Sequence, residues 1–373
     1  MPRHHSSVSG LWSTSQRSRN LTNRSRLSND PVLSFTINPA LPESVRNALA
    51  SSVKPKTHIC HQRAVKEFLT WADSRGLYAD EVLPTPESTL LEYAATFTGQ
   101  LAGGTVRAKI SALKTWHSSH GHSWNGGDLL RKVLTGVERK APLSSRRPER
   151  PGVSKDMMGY LHSSLSPSRR GLHHTSNAGS KLAFLGQMRL GELLPRNSDP
   201  RLFDPSKHPR VKDVVELPPL QDNKYGALDV RLPQSKTSEG RSDHVHVSPF
   251  PNTLNATKYL HKHVLFNKLS PNDPLMAYRD EHGNLKVLTK SLFLTVCNGV
   301  WSEHGYPRFS GHSFRIGGTT YLLQRGVDPE VVKRCGRWKS SAFARYWRDL
   351  HTIASIHIDR IHARKDLHRR FRN

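Results

Sequence analysis

The chain has 373 residues, and 56 Lys plus Arg against 30 Asp plus Glu leave it at a formal +26 with a pI near 10.4. So large an excess repels itself in a compact fold unless a polyanion binds, and nucleic acid supplies phosphates at close spacing. A membrane surface is the weaker candidate, because no apolar run is long enough to span a bilayer and neither a lipidation motif nor a secretory signal is expected.

Three cysteines, Cys60, Cys297 and Cys335, lie too far apart for a paired disulfide framework and suit a reducing, intracellular compartment. Residues 1–54 are rich in Ser, Asn and Arg and predict a mostly disordered basic arm. From Thr57 to Arg75, Cys60, Ala64, Phe68 and Ala72 recur at helical spacing, and Gly76 stops the run. Thr85 before Pro86 reads as an N-cap, followed by the stripe Leu90, Ala94, Phe97 and Leu101. A third helix opens after Gly104 with Thr105 as cap and turns Val106, Ile110, Leu113 and Trp116 inward. A fourth, Asp128 to Arg139, places Val133 and Val137 inward. Residues 55–140 thus predict an all-helical domain. Its basic side chains Arg107, Lys109, Lys114, Arg131 and Lys132 are candidates for contact with double-stranded DNA.

Residues 141–152 close a proline-rich basic stretch that reads as a linker. Beyond it, helices surround short strands. Ser154 caps a helix over Met157 to Leu165, and Lys181 to Leu194 reads as a buried apolar helix. RVKDVVEL, ALDVRL and HVHVSP read as strands. Helices resume over Thr253–Lys268, Lys290–Glu303 and Ser313–Gln324, with Asp328-Pro329 opening another. The basic tail, 351–373, sets Ile353, Ile356 and Ile361 in polar sequence and reads as a peripheral helix.

Four features of this second region carry chemistry together. They are GQMRLGELL around Arg189, the hairpin QSKTSEGRSDHVHV around Lys236, GHSFR with His312 and Arg315, and CGRWKSSAFARYWR with Trp338 and Tyr346. Taken in this order they resemble the active-site boxes of tyrosine recombinases and integrases. The GRW-x-S-x-x-F-x-x-Y form is most similar to recombinases of eukaryotic Crypton and DIRS-type mobile elements. The resemblance implies a mainly α fold with a small antiparallel sheet, a catalytic domain over 153–350, and a two-domain, C-shaped clamp. It also implies a homo-tetramer on two DNA sites with exchanged tails, work in the nucleus, and no cofactor or metal.

The residue types suit phosphoryl transfer, which needs an in-line nucleophile, charge stabilisation on the non-bridging oxygens and protonation of the leaving oxygen. Arg189 and Arg315 are guanidinium forks for the non-bridging oxygens. Glu192 can fix the orientation of Arg189. By resemblance Tyr346 is the nucleophile, and its phenol, with a pKa of about 10, needs a proton acceptor, for which His312 is the candidate. Lys236 is the candidate acid for the 5′-oxygen. Trp338 stands where many family members have histidine, and an indole donates its N–H without shuttling a proton, so acid duty falls on Lys236. Trp338 and Tyr346 are eight apart, one fewer than is common in bacterial relatives. Tyr321 is the nearest rival tyrosine and reads more simply as core.

Competing readings are weaker. No clustered carboxylates suggest a metal nuclease, no GxxxxGK[ST] loop an ATPase, and the pairs His58/His61 and His244/His246 lack cysteine partners at zinc-finger spacing. A type IB topoisomerase-like relaxase shares the ester chemistry, and a recombinase descendant that binds DNA without cutting is the rival from another class.

Overall fold

A computed structural model describes residues 27–146, 148–219, 224–235, 242–338, 343, 351, 353–356 and 358–359. The chain divides at Pro148/Glu149, inside the expected linker, into two compact units.

The first unit is helical: α1 (Glu43–Ser52), α2 (Pro55–Ser74), α3 (Ala79–Val82), α4 (Glu87–Thr96), α5 (Gly103–Ser119) and α6 (Asp128–Arg139). Its core gathers Val65, Phe68, Leu69, Leu90, Tyr93, Val106, Leu113, Trp116, Leu130 and Leu134. Phe68 and Tyr93 meet edge to face at 5.0 Å. Such pairing adds to the burial of two large rings.

Four sequence expectations are corrected here. The arm is not disordered to residue 54: Leu27, Leu33 and Phe35 enter the core, Asp73 accepts from the Leu27 and Ser28 amides at 2.8 and 3.3 Å, and α1 follows. Polar composition concealed three apolar anchors. Thr85 is no N-cap; it is buried, its hydroxyl donates to the Val82 carbonyl, and its amide donates to His117 Nε2 at 2.8 Å. His117, buried and tied by Nδ1 to the Leu113 carbonyl, has its pKa lowered by burial and serves as a neutral linker. Thr105 does not cap α5, which begins two residues earlier at Gly103, where any side chain would collide with Glu138 of α6. Cys60, placed on the inward stripe of α2, is exposed.

The second unit contains α7 (Lys155–Leu165), α8 (Gly171–Leu185), α9 (Leu190–Leu193), β1 (Val214–Glu216), β2 (Leu228–Leu232), β3 (Asp243–Val247), α10 (Ala256–Phe266), β4 (Ala277–Arg279), β5 (Leu285–Val287), α11 (Lys290–Glu303), α12 (Gly311–Gln324) and α13 (Pro329–Cys335). Strands β1, β2 and β3 form one antiparallel sheet in that order, with Val230 opposite Val245 and Leu232 opposite Asp243. Leu228, Val230, Leu232, Val245 and Val247 face the core, leaving Asp229, Arg231, His244 and His246 on the outer face. The β4–β5 pair was not read from sequence.

Helix α8 is buried nearly throughout, and α12 lies directly on it. Gly318 permits this approach, since a Cβ there would fall on the Phe184 carbonyl of α8, while Gly317 lets α12 meet the segment before α7, where a Cβ would fall on the Val153 carbonyl. The helix expected over Lys181–Leu194 is instead broken after Leu185, since Gln187 takes a left-handed φ of 47° and α9 starts afresh at Leu190. Tyr321 packs in the core against Phe184 and Phe250. Of the tail, Ile353 is fully buried with Leu322, Leu323, Val332 and Phe343 of its own chain. No helix among the described residues is long and apolar enough to cross a membrane.

Candidate active site

The break between α8 and α9 builds the site. Helix α8 ends in a closed C-terminal turn: the Gln187 amide donates to the Phe184 carbonyl and the Met188 amide to the Ala183 carbonyl. The left-handed residue of such a turn is usually glycine. Here the glycine, Gly186, sits one place earlier, where a Cβ would strike the Leu182 carbonyl and Val245 of β3. Gln187 takes the left-handed position, fully buried, and uses its side chain. Its Nε2 donates to the Val332 carbonyl of α13 at 3.1 Å, and its Oε1 accepts from Thr319 of α12 at 2.7 Å.

Arg189 emerges from this turn as the N-cap residue of α9, with its side chain 27% exposed. Glu192 accepts from Arg189 Nη1 at 2.8 Å and from its backbone amide at 3.0 Å. Arg189 was expected near the end of a long apolar helix; it stands instead at the start of a short one.

Arg315, on α12, is fully buried. Its Nη1 donates to the Gln187 carbonyl and its Nη2 to the Gly336 carbonyl, while its guanidinium lies 3.8 Å from the centre of the Trp338 ring. Arg189 is therefore the accessible arginine and Arg315 the covered one, a division that sequence did not anticipate.

His312 is half-buried on the first turn of α12. Burial, and then the charges of Arg315, Arg150, Arg189 and Lys290, lower its pKa below the ordinary histidine value. The imidazole is thus neutral at neutral pH and able to accept a proton. Arg150 and Lys290 were not singled out from sequence. Only the fold brings them near His312.

Arg337 is the main residue that sequence reasoning missed. Its side chain is 8% exposed and joins Glu192 at 2.8 Å and Asp243 of β3 at 3.4 Å. Burial would raise the pKa of Glu192, but the charge of Arg337 and hydrogen bonds from Arg337 and Arg189 bring it below the usual carboxylate value. The available signal was an arginine inside the GRW run itself. Its partners, 145 and 94 residues away in sequence, left none.

Lys236 and Tyr346 lie outside the described residues. Ser235, next to Lys236, is buried and donates to Asp243 Oδ2 at 3.0 Å.

Neither a protein-family model nor a curated protein sequence matches the chain. Solved structures are similar to it. XerH site-specific recombinase, in a post-cleavage complex with a palindromic difH substrate, aligns with a TM-score of 0.51 and 14% identity over 80% of this chain and 77% of that one. The Tn1549 transposon integrase, in complex with transposon right end DNA, aligns with a TM-score of 0.51 and 11% identity over 85% of this chain and 97% of that one. The chain has the tyrosine-recombinase catalytic-domain fold. The likeness is one of fold, and on that fold Arg189, Glu192, His312, Arg315 and Trp338 belong to one neighbourhood in the second unit.

The five basic residues of the first unit divide by their partners. Arg107 pairs with Glu138 at 2.8 Å, Arg131 with Asp128 at 2.8 Å, and Lys109 with Glu67. Lys114 and Lys132 are exposed, without an ion pair among the described residues. Among the described residues no group of three or more His, Cys, Asp or Glu could hold a metal ion. His58 and His61 pack edge-on against Phe35, while His244 and His246 face Asp229.

Proposed function

We propose that the protein is a site-specific DNA recombinase or integrase that breaks and rejoins double-stranded DNA through Tyr346. The observation that carries this reading is the grouping of Arg189, Arg315 and a neutral His312 on a recombinase fold, in a chain with a formal charge of +26. In the reaction, His312 accepts the phenolic proton as the Tyr346 oxygen attacks phosphorus. Arg189 binds and stabilises charge on the non-bridging oxygens, Arg315 adds its positive field from beneath Trp338, and the bond to the 5′-oxygen breaks with a proton from Lys236. The product is a 3′-phosphotyrosyl ester and a free 5′-hydroxyl. A second strand's hydroxyl reverses the step without a nucleotide, since the ester retains the bond energy. The working assembly is a homo-tetramer on two sites in the nucleus, mobilising DNA of the Crypton or DIRS type.

The test is trapping on a library of nicked duplexes. Wild-type protein should yield a covalent adduct whose sequencing reveals site and polarity, and Tyr346→Phe should yield none. An adduct that persists in Tyr346→Phe would overturn the assignment. The complete burial of Arg315 favours a second reading, a DNA-binding descendant that no longer cuts. That reading is supported if DNA binds and wild-type protein gives no adduct.

A further inference from the structure

Arg337 occupies a backbone position made for glycine. Helix α13 closes with the same C-terminal turn as α8: the Arg337 amide donates to the Arg334 carbonyl at 2.8 Å and the Trp338 amide to the Lys333 carbonyl at 3.1 Å. The left-handed residue is Arg337, with φ of 56°. A non-glycine side chain is strained in that conformation. Gly336 stands one residue too early to relieve it; it is glycine for another reason, since a Cβ at that point would meet Trp338 and Gln187. The arginine side chain must therefore compensate, and its two carboxylate partners belong to separate parts of the site. Glu192 orients Arg189. Asp243 opens β3 and holds Ser235, the residue before Lys236. Both partners accept on a single guanidinium fork that is almost wholly buried.

We infer that Arg337 is a positioning residue that couples the phosphate-binding Arg189, through Glu192, to the strand connection that carries Lys236, through Asp243 and Ser235. It acts through these two carboxylates and sets both limbs in register with the Trp338 segment in which it lies. This coupling rests on the recombinase reading.

The experiment uses the full chain and a nicked duplex of the sequence recovered from the wild-type adduct, made once with the natural bridging 5′-oxygen and once with sulfur in its place. A thiolate leaves without a proton, so sulfur bypasses any defect in the acid. Asp243→Asn should slow adduct formation about 10-fold or more on the oxygen duplex and recover on the sulfur duplex. Arg337→Gln should slow it about 100-fold or more, with DNA affinity unchanged, and recover only in part, because sulfur leaves the Glu192–Arg189 limb unrepaired. Cleavage by Arg337→Gln at the wild-type rate, or an Asp243→Asn defect that sulfur does not relieve, would overturn the coupling. If Arg337→Gln does not fold, the Asp243→Asn comparison decides by the same criteria. Absence of any wild-type adduct would instead overturn the function itself, and the coupling with it.

Discussion

The guanidinium of Arg315 lies over the indole of Trp338, 3.8 Å from the ring centre, while its two terminal nitrogens donate to the carbonyls of Gln187 and Gly336. The aromatic face covers the one fully buried arginine of the site and ties α12 to the segment that continues toward Tyr346. Trp338 also packs with Phe343 beside Leu322, Leu323 and Val332. Trp338→Ala should therefore cost about 2–3 kcal/mol of stability, by lost packing and the lost cation–π contact, measured by denaturant unfolding. A change below about 0.5 kcal/mol would mean that the indole is not seated on Arg315.

Glu192 is a buried carboxylate between two guanidiniums, and Glu192→Gln leaves Arg337 with one charged partner, Asp243. The expected loss is about 3 kcal/mol near pH 7. Because the folded-state pKa is depressed, this contribution is complete above the unfolded carboxylate value of about 4.3 and disappears as pH falls through the folded value. The stability gap between wild type and Glu192→Gln should thus close on acidification below about pH 4. Urea midpoints measured across that range check it, and a gap that persists would contradict the ion-pair account.

Lys181 is buried in the second unit, over the Tyr259 ring at 4.5 Å and bonded to Asn177. Desolvation pushes its pKa from 10.5 down to about 7. In the unfolded chain the amine stays protonated up to its ordinary value, so wild-type stability should rise with pH between about 7 and 10.5 and carry the full penalty below pH 7. Lys181→Met removes the titrating group at similar volume. It should be more stable than wild type at pH 6 to 7, with the advantage shrinking toward pH 9, as read by thermal unfolding at several pH values.

In the helical unit, Lys109 is committed to Glu67 with its ammonium 5.4 Å from the Phe97 ring, whereas Lys114 is exposed. Lys114→Glu should weaken DNA binding and lower the slope of log affinity against log salt by about 1. Lys109→Gln should alter stability more than that slope. Equal effects on the slope would place both side chains on the phosphate backbone.

The order of the elements was legible because long helices announce themselves by period: α2, α6, α10, α11 and α12 fall close to where apolar spacing sets them. Strands β1, β2 and β3 fall on the runs RVKDVVEL, ALDVRL and HVHVSP, whereas β4, β5 and the start of α5 were not legible, since they depend on neighbours rather than on local pattern. For the pairs His58/His61 and His244/His246 the sequence offered only spacing. Their actual surroundings, Phe35 for one pair and Asp229 for the other, came from packing.

By itself the sequence determined the formal charge of +26, the mainly helical two-part organisation and the residue types suited to phosphoryl transfer, because these follow from composition, periodicity and side-chain chemistry within short windows. Tertiary structure alone decided which of two arginines is accessible, that His312 lies among four cations and is neutral, and that Arg337 joins Glu192 to Asp243. Those properties arise where segments distant in the chain share one desolvated volume. There, burial and Coulomb interaction act on separations in space, which sequence order does not encode.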